Sequence, residues 1–345
     1  MPRSVDNPKN RFESSEVVFD DGQAPLAKLH VHEERVGTIL SENKSPDLPF
    51  RYSINPYRGC QHACAYCYAR PSHQYWGFGA GTDFEREIIV KVNAVEKLRE
   101  AFERRSWRGE AITFSGNTDC YQPLEGRYEL TRRLLSLCLE YRNPAGVITK
   151  SALVTRDVDV LSELARVTSV SVFLSIPFAS EEMARAIEPA AAPIHRRFEA
   201  LATLSEQGIE TGVMVAPIIA GLNDGQVGEV LRRAKDAGAR SAGRIALRLP
   251  SEVLPVFQGR VREALPLRAD KIDSAILQIR GGKMNDSNFG SRMRGQGPRW
   301  KAVDDLFELQ AQKVGLQIRP AADPPPPAQT FRRPSDQLEL NLGDL

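Results

Sequence analysis

Three of the five cysteines in this chain fall within eight residues, in Gly59-Cys60-Gln61-His62-Ala63-Cys64-Ala65-Tyr66-Cys67-Tyr68-Ala69-Arg70. A thiolate is the ligand that an iron–sulfur cluster requires, and four of them close a four-iron cluster. Three leave one iron open. Such an iron can take the amino and carboxylate groups of a small molecule, as a catalytic zinc keeps one position for substrate. A zinc site would need a fourth ligand from His62, Cys120 or Cys138, and structural zinc spacing is normally two separated pairs rather than one triplet. A disulfide framework fits poorly with an odd number of cysteines in a long chain whose first residues lack the basic and then apolar pattern of a secretory leader.

Such ligands need a frame, and the chain supplies an alternating pattern. Strand-like stretches at 50–54, 111–115, 146–149, 170–175, 211–216 and 244–249 alternate with helical spacing at 93–105, 127–141, 157–166, 192–207 and 225–237. Val170-Ser171-Val172-Phe173-Leu174 is apolar on both faces, as buried parallel strands are. The alternation predicts a parallel sheet with crossover helices, six units long, with working groups at the C-terminal strand ends. One or two further helices are expected over 253–281 and another over 304–314.

The C-x3-C-x2-C spacing, with Tyr66 just before the last cysteine, resembles the signature of the radical S-adenosylmethionine (SAM) superfamily. Ser53-Ile54-Asn55-Pro56-Tyr57-Arg58-Gly59-Cys60 leading in and Tyr66-Cys67-Tyr68-Ala69-Arg70 leading out resemble the branch related to spore photoproduct lyase, often called DNA repair photolyase-like. The similarity runs from about residue 7 to about residue 316. It implies an α/β fold, a partial (β/α)6 TIM-type barrel with N- and C-terminal extensions. It also implies a 4Fe-4S cluster on Cys60, Cys64 and Cys67, and reductive cleavage of SAM to a 5′-deoxyadenosyl radical that abstracts hydrogen from a substrate. The electron would come from a one-electron donor of the flavodoxin or ferredoxin type.

The same resemblance suggests roles along the strand ends. Thr118 and Asp119 would hold the methionine end of SAM, Lys150 its carboxylate, Ser175 the ribose and Ala216 the adenine. Tyr66 would lie along the adenine and Tyr68 near the cluster or SAM. Read without the family, the same residues are a capped βα loop, a snorkelling lysine, a turn serine and core tyrosines. Photoproduct lyases use a cysteine on the second strand end as hydrogen donor; alignment puts Gly116 there and Cys120 several residues later, so Cys120 is the candidate donor. Cys138, among leucines at helical spacing, reads as a core thiol. Arg248 is a candidate contact for a substrate phosphate or for SAM, and Arg292, Arg294 and Arg299 of a basic segment rich in glycine are candidate contacts for substrate phosphates, or part of a solvated loop.

Bulk numbers bound the rest. At 345 residues and 41% apolar content the chain can bury a substantial core, and a net charge of +2, from 46 basic against 44 acidic residues, gives no overall field for nucleic acid. No apolar run approaches the length of a membrane span, so a cytoplasmic protein is expected. The expected organisation is an N-terminal arm over 1–45, a core barrel over 46–280, an extension packed on the core over 281–318 and a proline-rich disordered tail over 319–345. In that tail Gln337, Leu338, Leu340 and Leu342 resemble the peptide by which bacterial repair and replication proteins bind the sliding clamp. An extended peptide of this kind seats alternate apolar side chains in a groove. Three classes of function remain open: a radical SAM enzyme acting on DNA, one acting on RNA, a protein or a small molecule, and a metal-binding module without catalysis.

Overall fold

The computed structural model describes residues 4–12, 24–318 and 330–334. Its strands are β1 (His30–Glu34), β2 (Leu40–Glu42), β3 (Tyr52–Ile54), β4 (Tyr57–Arg58), β5 (Glu87–Lys91), β6 (Ile112–Phe114), β7 (Ala145–Thr149), β8 (Val170–Ser175), β9 (Glu210–Ile218), β10 (Ser241–Ala246) and β11 (Gln317–Ile318). Eight of them form one sheet in the order β11-β10-β9-β8-β7-β6-β3-β2. Every neighbour from β3 to β11 is parallel, and β2 alone runs antiparallel, against β3. The six expected units are β3 and β6 to β10. The sheet is open, with β2 and β11 at its two edges.

Strands buried on both faces need side chains that interlock. Phe173 of β8 lies over Gly212 of β9, where an added Cβ would meet its ring at 2.3 Å, and Gly243 of β10 leaves similar room for Met214 of β9. Helices Ala94–Glu103, Leu130–Glu140, Val158–Val167, Ile194–Glu206 and Val227–Asp236 cover the sheet with Leu98, Leu134, Leu161, Leu201 and Val230, all fully buried. Leucine and valine at helical spacing thus build the core that the strands need.

Several elements differ from the sequence expectation, each for a local reason. The helix expected over 127–141 is two, Glu125–Tyr128 and Leu130–Glu140, because Glu129 takes a left-handed conformation with φ of 50°. A further helix, Glu181–Ile187, is capped by Ser180, whose hydroxyl accepts from the Met183 amide at 3.4 Å. Helices Val253–Ala264 and Ala269–Ile279 fill the region read as one or two, and the last helix starts earlier than expected, at Gly297, with a proline in its first turn.

Both chain ends are more engaged than their composition suggests. The stretch 1–45 contains β1 and β2, and β1 joins β5 and β4 in a second, three-stranded sheet. Polar His30-Val31-His32-Glu33-Glu34 has no apolar alternation; apolar β5 makes it a strand. Asn7 Oδ1 accepts from the amides of Gly81 and Asp83 at 3.1 and 3.2 Å. Within the expected tail, Phe331 packs on Phe102 and Tyr141, and Arg333 donates to the carbonyls of Phe102 and Arg104 at 3.0 and 2.6 Å. Gln337, Leu338, Leu340 and Leu342 lie outside the described residues.

His73 gives the fold a pH dependence. Its ring is buried, stacked on Phe78 at 5.2 Å and edge-on to Phe84 at 5.6 Å, and burial pushes its pKa down from 6.5 to about 4. The unfolded chain therefore takes up the proton first. Stability is complete above about pH 6.5 and falls by roughly 3 kcal/mol as the pH drops toward 4. In His73→Phe, urea unfolding between pH 6.5 and 4 is expected to show that loss reduced; an unchanged slope overturns the assignment.

Candidate functional site

Between β3 and the cysteine loop lies β4, which pairs antiparallel with β5. Gly59 then opens the loop at φ +75°, where an added Cβ would stand 2.9 Å from the Ile88 side chain and the Phe84 carbonyl. The Cys60 amide donates to the Phe84 carbonyl at 2.8 Å and the Ala65 amide to that of Ile187 at 2.9 Å. Irregular backbone buried this way needs partners from elsewhere. Arg70, fully buried, donates to the carbonyls of Cys64 (2.9 Å), Ala80 (3.1 Å) and Gly81 (2.8 Å), and pairs with Glu85 at 2.6 Å. Gln122, also fully buried, accepts from the Gln61 amide at 3.0 Å and donates to the Gly59 carbonyl at 3.1 Å.

All three thiols line one cavity of about 450 Å³ at the C-terminal ends of the strands. The strands deliver the other candidates to the same space: Thr118 and Asp119 after β6, Lys150 after β7, Ser175 ending β8, Ala216 in β9 and Arg248 after β10. Asp119 accepts from the Thr149 hydroxyl at 2.7 Å and the Lys150 amide at 2.8 Å, and its Oδ2 stands 3.3 Å from His62 Nδ1. Burial alone would raise its pKa, but the His62 charge and these hydrogen bonds outweigh it and hold the carboxyl well below the ordinary carboxylate range. The Thr118 hydroxyl donates to the Tyr57 carbonyl at 2.7 Å.

Lys150 Nζ donates to the Ser175 hydroxyl at 3.2 Å, which in turn donates to the Ala216 carbonyl at 3.2 Å. Burial works against the lysine's charge, yet its neighbours Cys64 and Glu188 outweigh it and hold its pKa above the ordinary lysine value. Tyr66 presents its ring to Lys150, 5.6 Å from Nζ, and its hydroxyl donates to Glu188. Glu188 pairs with Arg197 at 2.6 Å, both side chains almost wholly buried, and Arg197 also holds the Ser175 carbonyl at 3.0 Å. One buried ion pair thus fixes both a wall of the cavity and the tyrosine inside the cysteine motif.

Two expected groups stand elsewhere. Cys120 is fully buried in the main core beside Tyr121 and does not line the cavity, so a hydrogen-donor role for it is not carried forward. Cys138 is a core thiol as expected. Of the four arginines, Arg248 and Arg292 reach the cavity. Arg294 is exposed, and Arg299 pairs with Asp224 at 2.9 Å on the start of the last helix. Sequence reasoning missed Asn43, Asp47, Phe50, Glu188 and Arg197. These fall in two stretches, 43–50 and 188–197, outside the cysteine motif; only a glutamate before a proline, Glu188-Pro189, hinted at a loop.

The donor set suits a four-iron cluster. Among the described residues no three His, Cys, Asp or Glu side chains converge as they would on one ion. Three thiols spread around one wall suit a cluster, whose cysteines each bond a different iron. Cys120 and Cys138 are buried away from the cavity and offer no fourth thiolate. Burial pushes the Cys60 thiol up to about 12 and those of Cys64 and Cys67 upward too, so metal must displace protons when it binds.

A family model described as the radical SAM superfamily matches residues 54–234, just over half of the chain. An uncharacterized protein of Mycobacterium tuberculosis is 39% identical over 185 residues, which are 53% of this chain and 54% of that one. One from Methanocaldococcus jannaschii is 34% identical over 198 residues, 57% of this chain and 71% of the relative. The chain thus spans about half the length of the mycobacterial relative. Among solved structures, spore photoproduct lyase complexed with a dinucleoside spore photoproduct superposes with a TM-score of 0.59 at 16% identity, over 84% of this chain and 81% of the other. At that identity the likeness is one of fold.

The buried pair yields a stability prediction. Glu188→Ala leaves Arg197 charged and unpaired in the core and is expected to cost about 3–5 kcal/mol in urea unfolding. Asp305→Ala breaks the exposed pair with Lys301, which solvent screens, and is expected to leave the urea midpoint nearly unchanged. Equal costs for the two variants would refute the structural weight given to Glu188.

Proposed function

Because the chain belongs to the radical SAM superfamily, whose cofactors are a 4Fe-4S cluster and SAM, we propose that it cleaves SAM reductively in this cavity and acts on nucleic acid, as a DNA-repair enzyme of the photoproduct-lyase kind. The observation that carries the reading is the single cavity shared by the three thiols and the C-terminal ends of β6 to β10. When bound, the two groups supply one-electron cleavage of a sulfonium and hydrogen abstraction from a substrate. The chain's own part is binding, orientation and exclusion of water.

Cys60, Cys64 and Cys67 hold the cluster. Lys150, protonated and held by Ser175, faces the SAM carboxylate; Asp119, kept ionised by its donors, and Thr118 take the amino end. Ser175 meets the ribose, the Ala216 backbone the adenine, and the apolar faces of Tyr66 and Tyr68 keep water from the reacting atoms. Radical SAM enzymes need an electron donor, here a flavodoxin- or ferredoxin-type protein. No helix among the described residues is long and apolar enough to cross a membrane.

Anaerobic reconstitution followed by incubation with SAM and lesion-bearing DNA tests the reading, with mass analysis of both products. Cys64→Ala is expected to lose cluster absorbance and SAM cleavage together, and retained cleavage would exclude the ligand role. Lys150→Met is expected to weaken SAM binding roughly 10- to 100-fold in equilibrium dialysis, the value of a charge-assisted contact. Product formed only from RNA, a protein or a small molecule would replace DNA as substrate. We further propose that Gln337, Leu338, Leu340 and Leu342 bind the sliding clamp. Leu340→Ala with Leu342→Ala is then expected to abolish clamp binding by the intact protein in calorimetry, and unchanged binding removes the partner.

A further inference from the structure

Lys150, Arg248 and Arg292 line the cavity, and SAM brings one carboxylate. Lys150 and Arg248 stand at the ends of β7 and β10, three strand spacings apart, roughly 14 Å along the sheet. Lys150 sits beside Ser175 and the Tyr66 ring, on the side of the cysteines. Arg248 lies at the opening, where its guanidinium is 5.9 Å from the half-exposed Tyr68 ring and NH1 is 3.7 Å from the Met293 sulfur.

Arg248 is short of partners. Among the described residues it makes no ion pair, and its Nε is buried without a hydrogen-bond partner. Its neighbour Arg292 is already engaged, pairing with Asp47 at 2.5 Å and donating to Ser45 at 2.7 Å. A partly buried guanidinium beside a second one, without a carboxylate of its own, is costly until an anion arrives. Around it the walls are flat and apolar. The Tyr68 hydroxyl donates to the Gly116 carbonyl at 2.9 Å, and a Cβ added to Gly116 would lie 3.7 Å from the Phe50 ring. Tyr68 and Phe50 thus both approach Gly116, and all three line the cavity with Arg248.

We propose that Arg248, Tyr68 and Phe50 form a nucleotide subsite beside the SAM contacts, with Tyr68 shared between the two: the guanidinium holds one backbone phosphate and the two rings flank the attached base. A guanidinium fork matches phosphate geometry, and aromatic faces accept any base. The subsite deepens the nucleic-acid reading above and rests on it.

The test uses reconstituted protein with SAM, without oxygen. The probe is a fluorescein-labelled ten-residue oligothymidylate, with an oligouridylate as second arm, read by anisotropy across a salt series. Arg248→Gln is expected to weaken binding roughly 10- to 100-fold and to lower the salt slope by about one, as for a lost phosphate contact. Arg248→Lys restores the slope without the full affinity, which separates a lost charge from misfolding. If wild type binds an oligonucleotide and Arg248→Gln matches it in affinity and slope, the subsite is wrong and the nucleic-acid reading survives. If wild type binds neither oligonucleotide, both fall. If Arg248→Gln instead loses SAM binding in equilibrium dialysis with oligonucleotide binding kept, the anion belongs to SAM and the subsite is overturned.

Discussion

A loop that carries three cysteines close together cannot also satisfy its own backbone, and the architecture around it answers that constraint. Carbonyls at Gly59 and Cys64 and the amide of Gln61 are met by two fully buried side chains, Gln122 and Arg70, which come from opposite sides of the motif. Arg70 also gathers the Ala80 and Gly81 carbonyls, so the cysteine loop and the turn before the helix Asp83–Arg86 share one guanidinium. Polar groups buried in this way are strong only when fully paired. The Tyr66–Glu188–Arg197 chain extends the same logic across the cavity to the end of β8.

The arrangement of charge follows from the open sheet. The segment that carries Arg292 and the loop between β2 and β3 are joined where Asp47 accepts from both Arg292 and the Gly290 amide, the latter at 2.6 Å. Arg280, buried and without an ion pair among the described residues, keeps that segment in place by donating to the carbonyls of Leu247, Arg292 and Arg294 at 2.5 to 3.1 Å. Burial pushes its pKa down to about 10, still high enough for a full charge at neutral pH. The cavity is thus lined by thiols and a lysine as well as by Arg248 and Arg292.

Much of the frame was legible because hydrophobic period and strand order are local properties. Val170 to Ser175 reads as a two-sided strand and is one; the residues that end β6, β7, β8 and β9 meet in one cavity as their places at strand ends required. The failures have local causes too. Glu129 breaks a helix through its backbone angle, and β1 is a strand only because β5 lies beside it. Cys120 adjoins Asp119 in sequence, yet the turn after Asp119 sends the thiol into the core while the carboxylate faces His62.

The α/β order and the grouping of three cysteines at one end of the sheet were legible in the chain, since cysteine spacing and apolar period are written along it. Tertiary structure alone decided which distant side chains share the space with those cysteines. Glu188 with Arg197, Asp47 with Arg292, and Phe50 beside Gly116 are pairings made by sheet curvature and loop closure. Their strength comes from burial, and burial is a property of the folded whole.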